Sequence, residues 1–327
     1  MVEVAHRFVE TNGIRMHFVE KGSGPLIVLC HGFPESWYSW RHQIDALAAS
    51  GYHVVAPDMR GYGQTDAPET IDQYTLFHLV GDMVGLLDAL GAETAVIAGH
   101  DWGAPVAWHA ALWRPDRFPS VIALSVPYAP RGTTLPVMPR SDTAVFYQAY
   151  FQEPSVAEAD LEKDVRGSLR DILLRLSGDV PAPAWADSFA MVPIDGGLGS
   201  RIDQFAATPL PSWLSEADLS FYAGEFRRTG FRGGLNWYRN IGRNWQLRAP
   251  FVAAKVTVPA LFIAGNRDLV LRFPGAGDIV AFMERYVPEL KDKLILRGCG
   301  HWTQQERPDE VNEAMIAFLR GAPVNRH

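Results

Sequence analysis

Short runs of aliphatic and β-branched residues recur along the chain, separated by longer stretches whose apolar residues return every three or four positions. The runs are Leu26 to Cys30, His53 to Ala56, Ala95 to Ala98, Val121 to Val126, Ala260 to Ala264 and Lys293 to Leu296. Lacking polar alternation, they predict strands buried on both faces, as in a mostly parallel sheet. Ahead of them, Arg7 to Glu10 and Ile14 to Val19 flank Asn12-Gly13, a pair suited to the left-handed positions of a two-residue hairpin. The sheet is therefore expected to start with an antiparallel meander. From Tyr74 to Leu90, the spacing of Leu76, Phe77, Val80, Val84, Leu87 and Leu90 predicts a helix ended by Gly91. Strands alternating with helices predict an α/β fold.

The alternation breaks between about Pro130 and Pro250, where helical periodicity continues without convincing strands. This pattern predicts a helical cap at 130–250 inserted between two parts of an α/β core, 1–129 and 251–327. Ser155-x-x-Glu158 is spaced as a capping box for a helix carrying Leu161, Val165, Leu169, Ile172, Leu173 and Leu176 and ending before Gly178. Gly178 to Pro211 is rich in Pro and Gly and reads as a loop, long enough to suggest a lid or a substrate-facing segment. A last helix is expected from near Pro308, with Val311, Met315, Phe318 and Leu319 on its apolar side.

At 327 residues and 47% apolar content, the chain can bury a large core without disulfides or metal. Thirty Lys plus Arg against thirty-seven Asp plus Glu, a net charge of −7, argues against a nucleic-acid partner. Arg227, Arg228, Arg232, Arg239, Arg243 and Arg248 are interleaved with apolar residues and read as a solvated helix face. No apolar run is long enough to span a membrane and the N-terminus lacks a secretory pattern, so a cytoplasmic protein is expected. Cys30 and Cys299 have no ligand-like spacing and read as reduced, buried thiols, with no metal site. Gly61-Tyr62-Gly63 lacks the third glycine of a dinucleotide loop, and no cofactor is expected.

The most informative segment is Gly99-His100-Asp101-Trp102-Gly103, where an apolar strand runs straight into a helix through small-x-Asp-x-small. That is the layout of a nucleophile elbow with Asp in the usual Ser position, although Asp is also a favoured helix N-cap. Two further segments weigh on the choice. His31-Gly32-Phe33-Pro34 follows a strand, which would let the N–H groups of Phe33 and Trp102 form an oxyanion hole; alone it is compatible with a simple Pro turn. Gly298-Cys299-Gly300-His301 and Gly265-Asn266-Arg267-Asp268 place a His and an acid after the last two predicted strands. The order nucleophile, acid, His matches elbow-type hydrolases, so Asp101, Asp268 and His301 are the expected triad.

With these residues in place, HGFPESWYSW, GHDWGA, TGFRGGLNWYRN and GCGHWTQQERPDEVN resemble the α/β-hydrolase-fold epoxide hydrolases, especially the hydrolase half of the mammalian soluble enzyme. The resemblance runs from about Phe8 to Leu319, without a counterpart of that enzyme's phosphatase domain. It implies a mostly parallel eight-stranded sheet flanked by helices with an inserted cap. It also implies two cap tyrosines as acids, at Tyr147 and Tyr238. Trp37, Trp185, Trp213 and Trp237 are candidates for an aromatic pocket, against the ordinary packing role of tryptophan, and Pro34, Trp37 and Trp237 are the expected substrate contacts.

The chemistry agrees with the residue types. An aspartate is ionised at neutral pH and needs no base to attack a saturated carbon, giving an alkyl-enzyme ester. Against an ester carbonyl it would be expelled more readily than an alkoxide. Ring opening releases an alkoxide, which calls for an acid such as tyrosine, with pKa about 10. The expected partners are a small hydrophobic epoxide and water, without nucleic acid or membrane; a homodimer stays open. The nearest rival is a haloalkane dehalogenase. Many of those carry a halide-binding Asn where this chain has Phe33, and fluoroacetate dehalogenases carry arginines where it has Trp102 and Pro105. The other rival is a non-catalytic receptor keeping the fold.

Overall fold

The computed structural model describes residues 3–135, 137–179, 190–199 and 205–322. An eight-stranded sheet has the order β1-β2-β4-β3-β5-β6-β9-β10. Its strands are β1 Ala5–Thr11, β2 Ile14–Lys21, β3 Leu26–Cys30, β4 His53–Pro57, β5 Val96–His100, β6 Ser120–Leu124, β9 Ala260–Gly265 and β10 Leu290–Leu296. β1 and β2 pair antiparallel, as do β2 and β4; from β4 to β10 every pairing is parallel. Asn12 and Gly13 turn the first hairpin at φ +46° and +78°, the left-handed pair that their side chains tolerate. Asn12 then donates to His78 O at 3.0 Å and Asp82 Oδ1 at 2.8 Å, tying the hairpin to the helix beneath it.

β3, β5, β6 and β9 are buried along their whole length, as uninterrupted apolar runs require. β10 is an edge strand and only Leu296 is buried, so its apolar run covers one face rather than two. Helix α1 (Arg41–Ala49) packs with the last helix, and α2 (Leu76–Ala89) with α3 (Gly103–Trp113), covering the sheet. A short 3-10 turn, Ile71–Tyr74, precedes α2, whose true cap is Thr75. Phe77 is half-exposed but stacks on Trp113 at 4.4 Å.

Between β6 and β9 the chain leaves the sheet. The described residues there include α4 Tyr147–Tyr150, α5 Val156–Leu161, α6 Val165–Arg175, α7 Glu216–Thr229, α8 Arg232–Arg239 and α9 Ile241–Leu247. They also include a two-stranded ribbon, β7 Ala144–Phe146 with β8 Met191–Pro193, where the sequence reading expected no strands. The Ser155–Glu158 capping box does not form. Ser155 sits at φ +70° without a side-chain cap, and Glu158 is drawn to Arg239 at 2.8 and 2.9 Å. The single long helix expected there is two helices, the second capped by Asp164, whose carboxylate accepts from Gly167 N at 3.0 Å. The capping box lies instead at Ser215–Asp218. Arg239 is likewise not on a solvated face; its guanidinium is buried against Glu158, while Arg228 and Arg248 reach the carbonyls of Gly63 and Ala129.

After β9 come α10 (Ala276–Ala281), α11 (Thr303–Glu306) and α12 (Pro308–Gly321), the last burying Val311, Met315 and Leu319. Cys30 and Cys299 are free and buried, and burial pushes both thiols upward, away from reactivity. Among the described residues no helix is long and apolar enough to cross a membrane.

Candidate active site

Because the strands from β4 to β10 are parallel, their C-terminal ends share one edge, and the loops leaving it converge. Asp101 follows β5 there, at φ +50°. That left-handed conformation costs a non-glycine residue about 1–3 kcal/mol, and only tight surroundings hold it. The surroundings need small neighbours: a Cβ on Gly99 would lie 2.0 Å from Gly103 O, and one on Gly103 would lie 2.1 Å from Cys30 O. The strand thus turns into α3 with the aspartate at the bend, and the backbone has the shape of an elbow.

Asp101 Oδ1 accepts from Phe33 N at 2.7 Å, and Oδ2 lies 3.4 Å from His301 Nε2. Trp102 follows at φ −62°, ψ −26°, so its N–H belongs to the first-turn donors of α3 that lack an acceptor within the helix. On the far side of the imidazole, His301 Nδ1 lies 3.0 Å from Asp268 Oδ1, which also accepts from Val270 N at 2.9 Å. Burial pushes the Asp101 carboxyl up, but the hydrogen bond and charge of His301, with help from His100 and the Phe33 N–H, outweigh it and hold the group below the ordinary range. Burial pulls His301 down, and the two flanking carboxylates reverse this, raising it well above the usual imidazole value. The carboxyl groups of Asp101 and Asp268 on either side of the ring thus favour its protonated form.

Tyr147 and Tyr238 line the same cavity as Asp101, their rings 5.9 Å apart. Burial, then the Asp101 charge, pushes the Tyr238 phenol well above its ordinary value. Tyr147 is raised by burial in the same way, its hydroxyl accepting from Gln148 Nε2 at 3.0 Å. Both are neutral phenols at physiological pH. Beside Asp101, one pocket of about 260 Å³ is walled by Trp102, Pro105 and Ile241, and a smaller one of about 30 Å³ by Phe33, Pro34, Phe151, Ile172 and Leu176. Asp101, both tyrosines, Val270 and Phe273 border both.

Of the expected substrate contacts, Pro34 borders the cavity, but Trp37 and Trp237 do not. Trp37 packs edge-on against His6, Tyr38 and Phe221, and its backbone N–H donates to Asp58 Oδ1 at 3.2 Å. Trp237 is fully buried behind Trp102, its indole donating to Arg60 O at 3.1 Å. Trp213 also packs, donating to Ser177 Oγ at 3.2 Å, and Trp185 lies outside the described residues. Tyr238 and Trp245 lie on different helices, α8 and α9. The chain breaks between α8 and α9 at Asn240, whose amide donates to Ile71 O at 2.6 Å and Asn236 O at 2.9 Å.

Sequence reasoning missed Ser125, whose hydroxyl lies 2.9 Å from His301 Nδ1. It sits at φ +71° just past β6, on the same sheet edge as Asp101, Asp268 and His301, and that position was its signal. Also missed was the buried pair His100–Glu35 beneath the elbow, joined at 2.8 Å, with His100 Nε2 donating to His301 O at 2.7 Å.

The sheet order and elbow define a class: residues 25–308 match the alpha/beta hydrolase fold family. The chain is 46% identical over 325 residues to epoxide hydrolase A of Mycobacterium tuberculosis (strain ATCC 25618 / H37Rv), covering 96% of this chain and 97% of that one. It is 42% identical to bifunctional epoxide hydrolase 2 of Mus musculus, covering 97% of this chain and 56% of that longer protein. An epoxide hydrolase structure from an endophytic Streptomyces matches with a TM-score of 0.90 at 46% identity, over 97% of this chain and 96% of that chain. The chain belongs to the epoxide hydrolases of the α/β-hydrolase fold.

Proposed function

We propose that this protein adds water to small hydrophobic epoxides, giving vicinal diols through a covalent ester on Asp101. The observation that carries the reading is one cavity bordered by an ionised aspartate and two neutral buried phenols. Asp101 Oδ2 attacks a ring carbon from behind, the C–O bond breaks, and Tyr147 and Tyr238 hydrogen-bond and protonate the departing oxygen. Oδ1, already on the Phe33 N–H, becomes the ester carbonyl. Forming the ester removes the Asp101 charge that favoured the protonated ring, so His301 gives up its proton, which through solvent replaces the one the phenol lost to the alkoxide, and the neutral imidazole can act as a base. It takes a proton from water, which adds to the ester carbonyl, while Asp268 and Ser125 orient the ring and the Phe33 and Trp102 N–H groups hold the oxyanion. Collapse expels the diol oxygen, which takes the proton His301 drew from water, and the new Asp101 acid returns a proton to the imidazole, restoring the carboxylate.

In this reading residues 130–250 form the cap that brings the two phenols over the core of 1–129 and 251–327. No cofactor enters any step, and the apolar cavity walls favour hydrophobic substrates. A cytoplasmic location fits such chemistry, and the mechanism needs a single copy of the chain.

A dehalogenase would need donors for a halide, a weak base, whereas two phenols suit an alkoxide. The purified protein is expected to form diols from a panel of fatty-acid, terminal aliphatic and aryl epoxides faster than it releases halide from matched alkyl halides, measured by chromatography and ion-selective detection. Faster halide release would favour the dehalogenase, and epoxide binding without diol would favour a receptor.

A further inference from the structure

Around His301 the cap and the triad loop are joined backbone to backbone. His301 N donates to Leu176 O at 2.8 Å, just past α6, and the Trp302 indole donates to Leu173 O within α6 at 2.9 Å. The approach is close enough that a Cβ on Gly300 would lie 2.2 Å from Gly178 N, and one on Gly178 2.3 Å from Gly298 O. One side chain gathers the donors of this joint. Glu306, buried at the end of α11, accepts from Gly178 N at 2.8 Å and Gly300 N at 2.9 Å on Oε2, and from Trp302 N at 3.1 Å on Oε1. Its carboxylate therefore holds the residues on both sides of His301 and, through the same oxygen, the cap segment that follows α6. Ile172 within α6 and Leu176 just past it wall the smaller pocket beside Asp101.

We infer that Glu306 is a positioning residue for the second half-reaction, fixing the imidazole of His301 relative to the Asp101 ester through the backbone of Gly300 and Trp302 and seating the cap on the same carboxylate. The inference rests on the covalent reading above. Asp101, Tyr147, Tyr238 and the Phe33 N–H make no contact with Glu306 through these bonds, so attack on the epoxide is left intact while ester hydrolysis slows. An ångström-scale misplacement of a catalytic group costs up to about 100-fold.

In Glu306→Gln one oxygen is retained, but an NH2 meets an N–H donor; in Glu306→Ala all three acceptor contacts go. The expected result is that kcat and KM fall together, about tenfold in Glu306→Gln and about 100-fold in Glu306→Ala. kcat/KM, which reports the steps up to ester formation, stays within about twofold of the wild type. Intact-mass analysis during turnover then finds the alkyl ester on Asp101, and the amplitude of its rapid formation counts the folded sites. A drop in kcat/KM without ester, or unchanged kinetics in Glu306→Gln, would overturn the inference while His301→Gln still traps ester. Absence of ester in His301→Gln as well would overturn the covalent reading and this inference with it.

Discussion

Replacing both cap phenols, Tyr147→Phe with Tyr238→Phe, is expected to slow epoxide opening by about 10⁴-fold or more, with each single change costing about 10²-fold. The released alkoxide is about as basic as hydroxide, whose conjugate acid has a pKa near 15.7. A phenol near pKa 10 is about six units more acidic, so its proton is transferred downhill, by about 1.36 kcal/mol per unit. Burial raises both phenols and shrinks that margin, but part of the rise comes from the Asp101 charge, which leaves as the bond to carbon forms. In the proposed mechanism the two phenols are thus neutral before attack and become more acidic as the leaving oxygen develops charge. Phenylalanine keeps the ring contacts at 5.9 Å between the two positions and at 5.5 Å between Phe33 and residue 238, so the loss is chemical rather than structural. Rapid-quench measurement of ester formation checks this. Fast opening in the double variant would mean that the acid lies elsewhere.

The second large effect is expected in His301→Gln. One equivalent of epoxide reacts and stays on the enzyme, while turnover falls by about 10⁴-fold. Glutamine cannot take a proton from water, and the ester of Asp101 is otherwise unactivated. Without the imidazolium, burial is the largest influence left on Asp101, so the trap is run at mildly alkaline pH, where the carboxyl is ionised. In the proposed mechanism, wild-type hydrolysis needs the neutral imidazole. His301 is raised in the folded site, so this half-reaction speeds up as pH rises through the His301 value of the ester form and slows below it. The variant loses that dependence. A protein mass increased by that of the epoxide checks the trap, and continued diol release would contradict it.

What the sequence made legible was local. Apolar runs bounded by turns located the parallel strands, and Asn12-Gly13 located the hairpin, because those signals depend on a few adjacent residues. The elbow was readable because Gly99 and Gly103 are small where backbone meets backbone. Features decided by distant partners were not readable. Glu158 has the spacing of a capping box, but a buried Arg239 eighty-one positions away competes for it. The ribbon of β7 and β8 has three residues per strand, too short for periodicity to register. Trp37 and Trp237 illustrate a further limit. Aromatic character says that a residue is buried, but not whether it faces a cavity or a core, and Trp102 with Tyr238 stands between Trp237 and Asp101. Ser125 and Glu35 joined the site only through the sheet order, which brings β3, β5 and β6 side by side.

A single turnover in oxygen-18 water, with enzyme in excess over epoxide, tests the central claim most directly. Mass analysis is expected to find the heavy oxygen in the peptide carrying Asp101, and the first diol with none, because its new oxygen came from the aspartate. Heavy oxygen in the first diol, with Asp101 unlabelled, would mean that water attacks the ring directly and that no ester forms.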